Sequence, residues 1–83
     1  MRMIVNINGT SAEDLIDQRR ALMDALSDAM KALQEMTPNG RDYPGRPDDC
    51  KADREVHYAR FAQLDKLRNE IMDEALHIQQ QSA

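Results

Sequence analysis

Thr37-Pro38-Asn39-Gly40-Arg41-Asp42-Tyr43-Pro44-Gly45-Arg46-Pro47 holds all three prolines and two of the three glycines of the chain, and its reading decides the fold. Pro38 disfavours helical geometry at Thr37, Asn39-Gly40 and Pro44-Gly45 are turn dipeptides, and Pro47 before Asp48-Asp49 reads as the entry to a helix. The stretch is therefore a reversal between two long arms. Each arm carries a helical pattern.

Upstream, Thr10-Ser11-Ala12-Glu13 fits a capping box in which Thr10 accepts from the amide of Glu13. Glu13, Asp14 and Asp17 suit the positive end of the helix dipole. Leu15, Arg19, Leu22, Leu26, Ala29, Leu33 and Met36 follow steps of three and four, flanked by Ile16, Met23 and Met30, which predicts a helix over 10–36 with an apolar arc roughly 160° wide. Downstream, a helix over 48–79 carries Phe61, Leu64, Leu67, Ile71, Ala75 and Ile78, widened by Met72, Leu76 and Val56 to roughly 200°. In its first half the stripe positions hold Cys50, Arg54, His57 and Arg60 instead. Residues 3–7 are β-branched and alternate loosely, which predicts a short strand or extended arm over 1–9, and 80–83 reads as a frayed tail.

The fold class that follows is all-α: one domain, an antiparallel two-helix hairpin with a short N-terminal strand or arm. A lone strand leaves backbone groups unpaired, and two helices cannot cover arcs this wide, so the hairpin is expected to be completed by homo-oligomerisation or by a partner protein.

Composition narrows the function. Among 83 residues, 11 Lys and Arg stand against 15 Asp and Glu, a net charge of -4 with no basic run, which disfavours general nucleic-acid binding. One cysteine excludes an internal disulfide, and no segment has the length and apolarity to span a bilayer, so the cytoplasm is the expected compartment. No phosphate-binding loop, paired catalytic carboxylates or nucleophile triad is present, and a two-helix chain offers no deep pocket; a non-enzymatic role without cofactor is expected.

Two clusters stand out as ligand sites. Arg41, Tyr43 and Arg46 in the loop, with Lys51 and Arg54 at the following helix start, suit a nucleotide-like anion: the ring stacks on a base and the guanidinium groups meet phosphate. The bland alternative is that Asp42 and Tyr43 close the turn while the arginines lie in solvent. The second cluster depends on register. If Met36 pairs with Asp49, facing residue numbers add to about 85, and at 1.5 Å per residue Arg19 then lies level with Lys66 and half a turn from Arg68. Two arginines in an apolar seam need a counter-charge, either a bound anion or a carboxylate among Asp14, Asp65, Glu70 and Glu74 across an oligomer interface. Cys50, Asp53 and His57 share one face but make an incomplete metal set, and Asp53 with His57 reads as a surface ion pair. The methionines read as core filler or as an adaptable contact surface.

The order of capping box, amphipathic helix, Thr37-Pro38-Asn39-Gly40-Arg41-Asp42-Tyr43 loop and second amphipathic helix resembles small proteins encoded by temperate bacteriophages, over residues 9–79. The resemblance implies a role in manipulating the bacterial host, where such proteins block a defence enzyme or soak up a nucleotide signal. It transfers no residue roles. Together the two lines give a counter-defence or host-takeover protein that acts by binding, as an oligomeric sponge for an anionic nucleotide. The alternative is an inhibitor that docks its apolar faces on a host or defence protein. A phage assembly factor or a DNA-binding module ranks below both.

Overall fold

The computed structural model describes residues 11–82. Two long helices, α1 (Ala12–Gln34) and α2 (Pro47–Ser82), pack antiparallel, and a single 3₁₀ turn, Gly40–Asp42, lies in the connection. Among the described residues the chain is all-helical; the strand expected at 3–7 and the cap expected at Thr10 lie outside them. Ser11 is the residue that caps α1, its hydroxyl accepting from the amide of Asp14 at 3.1 Å, with Glu13 and Asp14 in the first turn. Pro47 opens α2 at the position where its missing N–H costs nothing, ahead of Asp48 and Asp49. The helix then continues through 80–82, a turn beyond the end the sequence indicates.

The molecule is thin, 63 × 18 × 17 Å, so few side chains escape solvent. Leu15, Leu26, Cys50 and Ile78 are the buried apolar residues among those described, joined by two polar ones, Arg19 and His57. The seam on α1 runs through Ile16, Arg19, Met23, Leu26, Met30 and Leu33, and on α2 through His57, Phe61, Leu64, Arg68, Ile71, Ala75 and Ile78, all buried or half-buried. Alternating steps of three and four are those of a coiled-coil stripe. The expected centre of the α1 stripe is corrected here. Leu22, Ala29 and Met36 face solvent, and Ile16, Met23 and Met30 take the seam. One neighbour covers only part of the arc, and turning this flank inward buries an isoleucine and two methionines where the other offers a leucine, an alanine and a residue past the helix end.

The register also differs from the expected one. Arg19 pairs with Glu74, the guanidinium of Arg68 donates to the Ser27 hydroxyl, and His57 meets Thr37, so facing residue numbers add to about 94. A shift of about nine residues is roughly 13 Å along the helices. Its cause is the connection, which turns back along the first turns of α2 and bonds to them, so that α2 overhangs the end of α1. At the junction the Thr37 hydroxyl donates its only proton to the Gln34 carbonyl at 2.6 Å, and therefore accepts from Nε2 of the buried His57 at 3.0 Å. This bond caps α1 and holds the loop against α2. His57 is thus a core residue bonded to Thr37, and the surface ion pair expected with Asp53 is replaced.

Arg19 and Arg68 consequently do not meet at one height. The Arg19 Nε lies 3.3 Å from Glu74 Oε1 and its Nη1 donates to the Leu15 carbonyl at 3.1 Å, so its counter-charge comes from the same chain and not from across an interface. With side chains only 10% and 21% exposed, removal of one partner leaves a poorly solvated charge behind. Glu74→Ala is expected to cost about 1–3 kcal/mol in urea unfolding, whereas the double variant Arg19→Met/Glu74→Leu, which removes both charges and leaves none unpaired, is close to neutral.

Candidate functional site

Local rules set the loop. The Asn39 side chain accepts from the Arg41 amide at 3.0 Å and starts the 3₁₀ turn. The Arg46 amide then donates to the Tyr43 carbonyl at 3.0 Å, closing Tyr43-Pro44-Gly45-Arg46 with proline at the second position and Gly45 at a φ of 72° at the third. That is a type II turn, and only its third position requires the left-handed backbone that glycine supplies.

Two further contacts tie this loop to α2. The Arg54 Nε–H donates to the Pro38 carbonyl at 3.0 Å, and the Tyr43 hydroxyl donates to Asp53 Oδ2 at 2.5 Å. Between loop and helix lies an open cleft of about 390 Å³, walled by Tyr43, Pro44, Cys50, Lys51 and Arg54. Tyr43, two prolines and the buried Cys50 stand along it, and Lys51 and Arg54 are its two cationic residues. Across the Tyr43-Pro44 ridge is a second hollow lined by Asp42, Arg46, Asp49 and Asp53, where Arg46 Nε sits 2.5 Å from Asp49 Oδ2.

The six candidate ligand residues are therefore divided. Tyr43 and Arg54 line one cleft with Lys51. Arg46 lies on the acidic side of the ridge, already beside a carboxylate. Arg41 is exposed on the 3₁₀ turn and lines neither hollow. Arg68 is fourteen positions beyond Arg54 on α2, roughly 21 Å away, and Arg19 is farther still, so both belong to the helix seam. Cys50, which the sequence marks as a stripe residue and as one of an incomplete metal set, forms part of the cleft wall. The anchoring Pro38 carbonyl carries no sequence signal, because every residue has a carbonyl. Among the described residues no group of three or more His, Cys, Asp and Glu side chains is placed to hold a metal ion, and no helix is long and apolar enough to cross a membrane.

Comparison with known proteins finds no matching family model, no similar curated protein and no similar solved structure.

The bond to Asp53, reinforced by partial burial and nearby negative charge, pushes the Tyr43 phenol from 10.0 up to about 12. A raised value means that the neutral phenol is favoured by folding, so its contribution is complete below pH 10 and is lost as pH rises from 10 toward 12. Ultraviolet titration is expected to show a tyrosine ionisation step near pH 12, which Asp53→Ala moves down toward 10.

Proposed function

We propose that the protein acts by binding and not by catalysis, and that the cleft between loop and α2 takes an anionic, nucleotide-like small molecule. One observation carries this reading: Tyr43 and Arg54 line the same cleft, each with its side chain held by a second residue before any ligand arrives. Preorganisation of this kind lowers the ordering cost of binding. With Nε engaged by Pro38, the two Nη groups of Arg54 are the ones directed to phosphate oxygens. Lys51, one turn earlier, adds a second cation, and the ring offers its face to a base.

In the cell this reading is a self-associating, cytoplasmic sponge of the phage counter-defence type, the context that the resemblance drawn from the 37–43 loop implies. A second reading, docking on a host or defence protein, draws support from Met72 and Leu76, which are 36% and 49% exposed on α2. The two readings use different surfaces.

Isothermal titration of the purified protein with mononucleotides and cyclic dinucleotides separates them. Nucleotide sequestration predicts saturable binding that a Lys51→Ala/Arg54→Ala double variant weakens by about 100-fold, at roughly one to two kcal/mol per charge-assisted bond, while Arg46→Ala stays within about threefold. Absence of binding across both nucleotide classes contradicts it, and so does equal loss in the Arg46 variant.

A further inference from the structure

We infer that the outer face of α1 is the contact between two copies of this chain, which meet antiparallel about a two-fold axis at Ala29 and complete a four-helix bundle. The inference rests on the self-association within the reading above and names its surface.

Leu22, Ala25, Ala29 and Ala32 repeat the three-four spacing of the buried seam, rotated from it by roughly 105° at 100° per residue, and Met36 takes the next step in the turn that follows α1, where its amide donates to the Leu33 carbonyl. All five are exposed, with Leu22 at 41% and Met36 at 65%. This is a second coiled-coil stripe with no helix of its own chain upon it. Its order is symmetric about the middle: large, small, small, small, large. An isologous contact demands that symmetry, because residue i must suit residue j and j must suit i. Antiparallel pairing about Ala29 sets Leu22 against the partner's Met36 and Ala25 against the partner's Ala32, with alanines at the closest approach of the backbones. An unrelated partner places no such condition on the order.

The adjoining edge of α2 obeys the same axis. Arg60, Leu67 and Glu74 are seven residues apart and lie beside the α1 stripe, where Glu74 reaches Arg19. In the observed register Leu67, 40% exposed, stands within about 3 Å of the level of Ala29. The two-fold that exchanges Leu22 with Met36 therefore brings Leu67 within about 6 Å of the level of its own copy, and Arg60 within about 6 Å of the level of the partner's Glu74, twice, offsets that side chains of this length span. Charge and apolar character are both self-complementary across one axis. On the opposite flank of the stripe Asp28 comes near its own copy, a single like-charge pair.

Sedimentation equilibrium of the whole protein tests the inference, with circular dichroism to confirm that variants fold. The wild type is expected at twice 9.5 kDa. Ala29→Glu, an exposed position in the monomer, keeps its helicity and loses at least about 100-fold in dimer affinity, since like charges placed together at an interface cost several kcal/mol. Asp28→Asn tightens the dimer. Under mild copper-phenanthroline oxidation Ala29→Cys crosslinks through the new thiol, and Asp24→Cys, on the far side of α1, does not. A monomeric wild type, a dimer indifferent to Ala29→Glu, or equal crosslinking at both positions overturns it. Nucleotide binding that persists in a monomeric Ala29→Glu variant leaves the cleft reading standing, and a dimer that binds no nucleotide leaves this contact standing.

Discussion

A helix pair has one seam, and that constraint governs this molecule. Each helix can bury only the stripe that meets its single neighbour, so apolar arcs of roughly 160° and 200° are divided into a covered part and an uncovered part. The hairpin buries Leu15, Leu26 and Ile78 between its helices and Cys50 beneath the loop, and leaves Leu22, Met36, Leu67, Met72 and Leu76 in water. Stability from one seam is modest in a chain of this size, and a second layer of helices is the usual remedy.

Within the seam, polar groups choose one alignment among the several that sliding stripes permit. Arg19 finds Glu74, Arg68 finds Ser27, and His57 finds Thr37, each at a separate height. A slip of one heptad would keep apolar residues facing apolar residues and would strand a guanidinium and an imidazole. Buried polar groups thus serve alignment here more than they serve stability. The alignment also positions the loop. Because Thr37 is held at His57, the following nine residues must run back over the first turns of α2, and that return path creates the cleft in which Tyr43 and Arg54 face one cavity.

Much of this architecture is legible in the sequence, and the failures have identifiable causes. Pro38, Pro44-Gly45 and Pro47 announce the reversal, and the three-four spacing announces both helices. The choice of flank was not legible, because Leu22, Ala29 and Met36 follow the same spacing as Ile16, Met23 and Met30, and only the neighbour decides between them. The register was lost for a similar reason. Counting from Met36 against Asp49 assumes a tight turn, whereas an eleven-residue connection can lie along a helix as well as beyond it. Of the ligand residues, Tyr43 and Arg54 were recognisable by type and nearness, but only their distinct anchors, Asp53 and the Pro38 carbonyl, separate them from Arg46, which has the same chemistry on the acidic side of a ridge. Arg19 and Arg68 show the converse: a charge on an apolar stripe needs a partner, and a partner elsewhere in the same chain was enough.

A binding hairpin that works as a pair, as proposed, requires both a second subunit and an occupied cleft. Native mass spectrometry of protein purified gently from a bacterial lysate addresses both halves at once, since one spectrum reports subunit number and retained ligand. The expected result is a two-subunit species that carries extra mass of nucleotide size for each cleft. A bare single subunit, which also gains no mass when nucleotides and cyclic dinucleotides are added back, contradicts it.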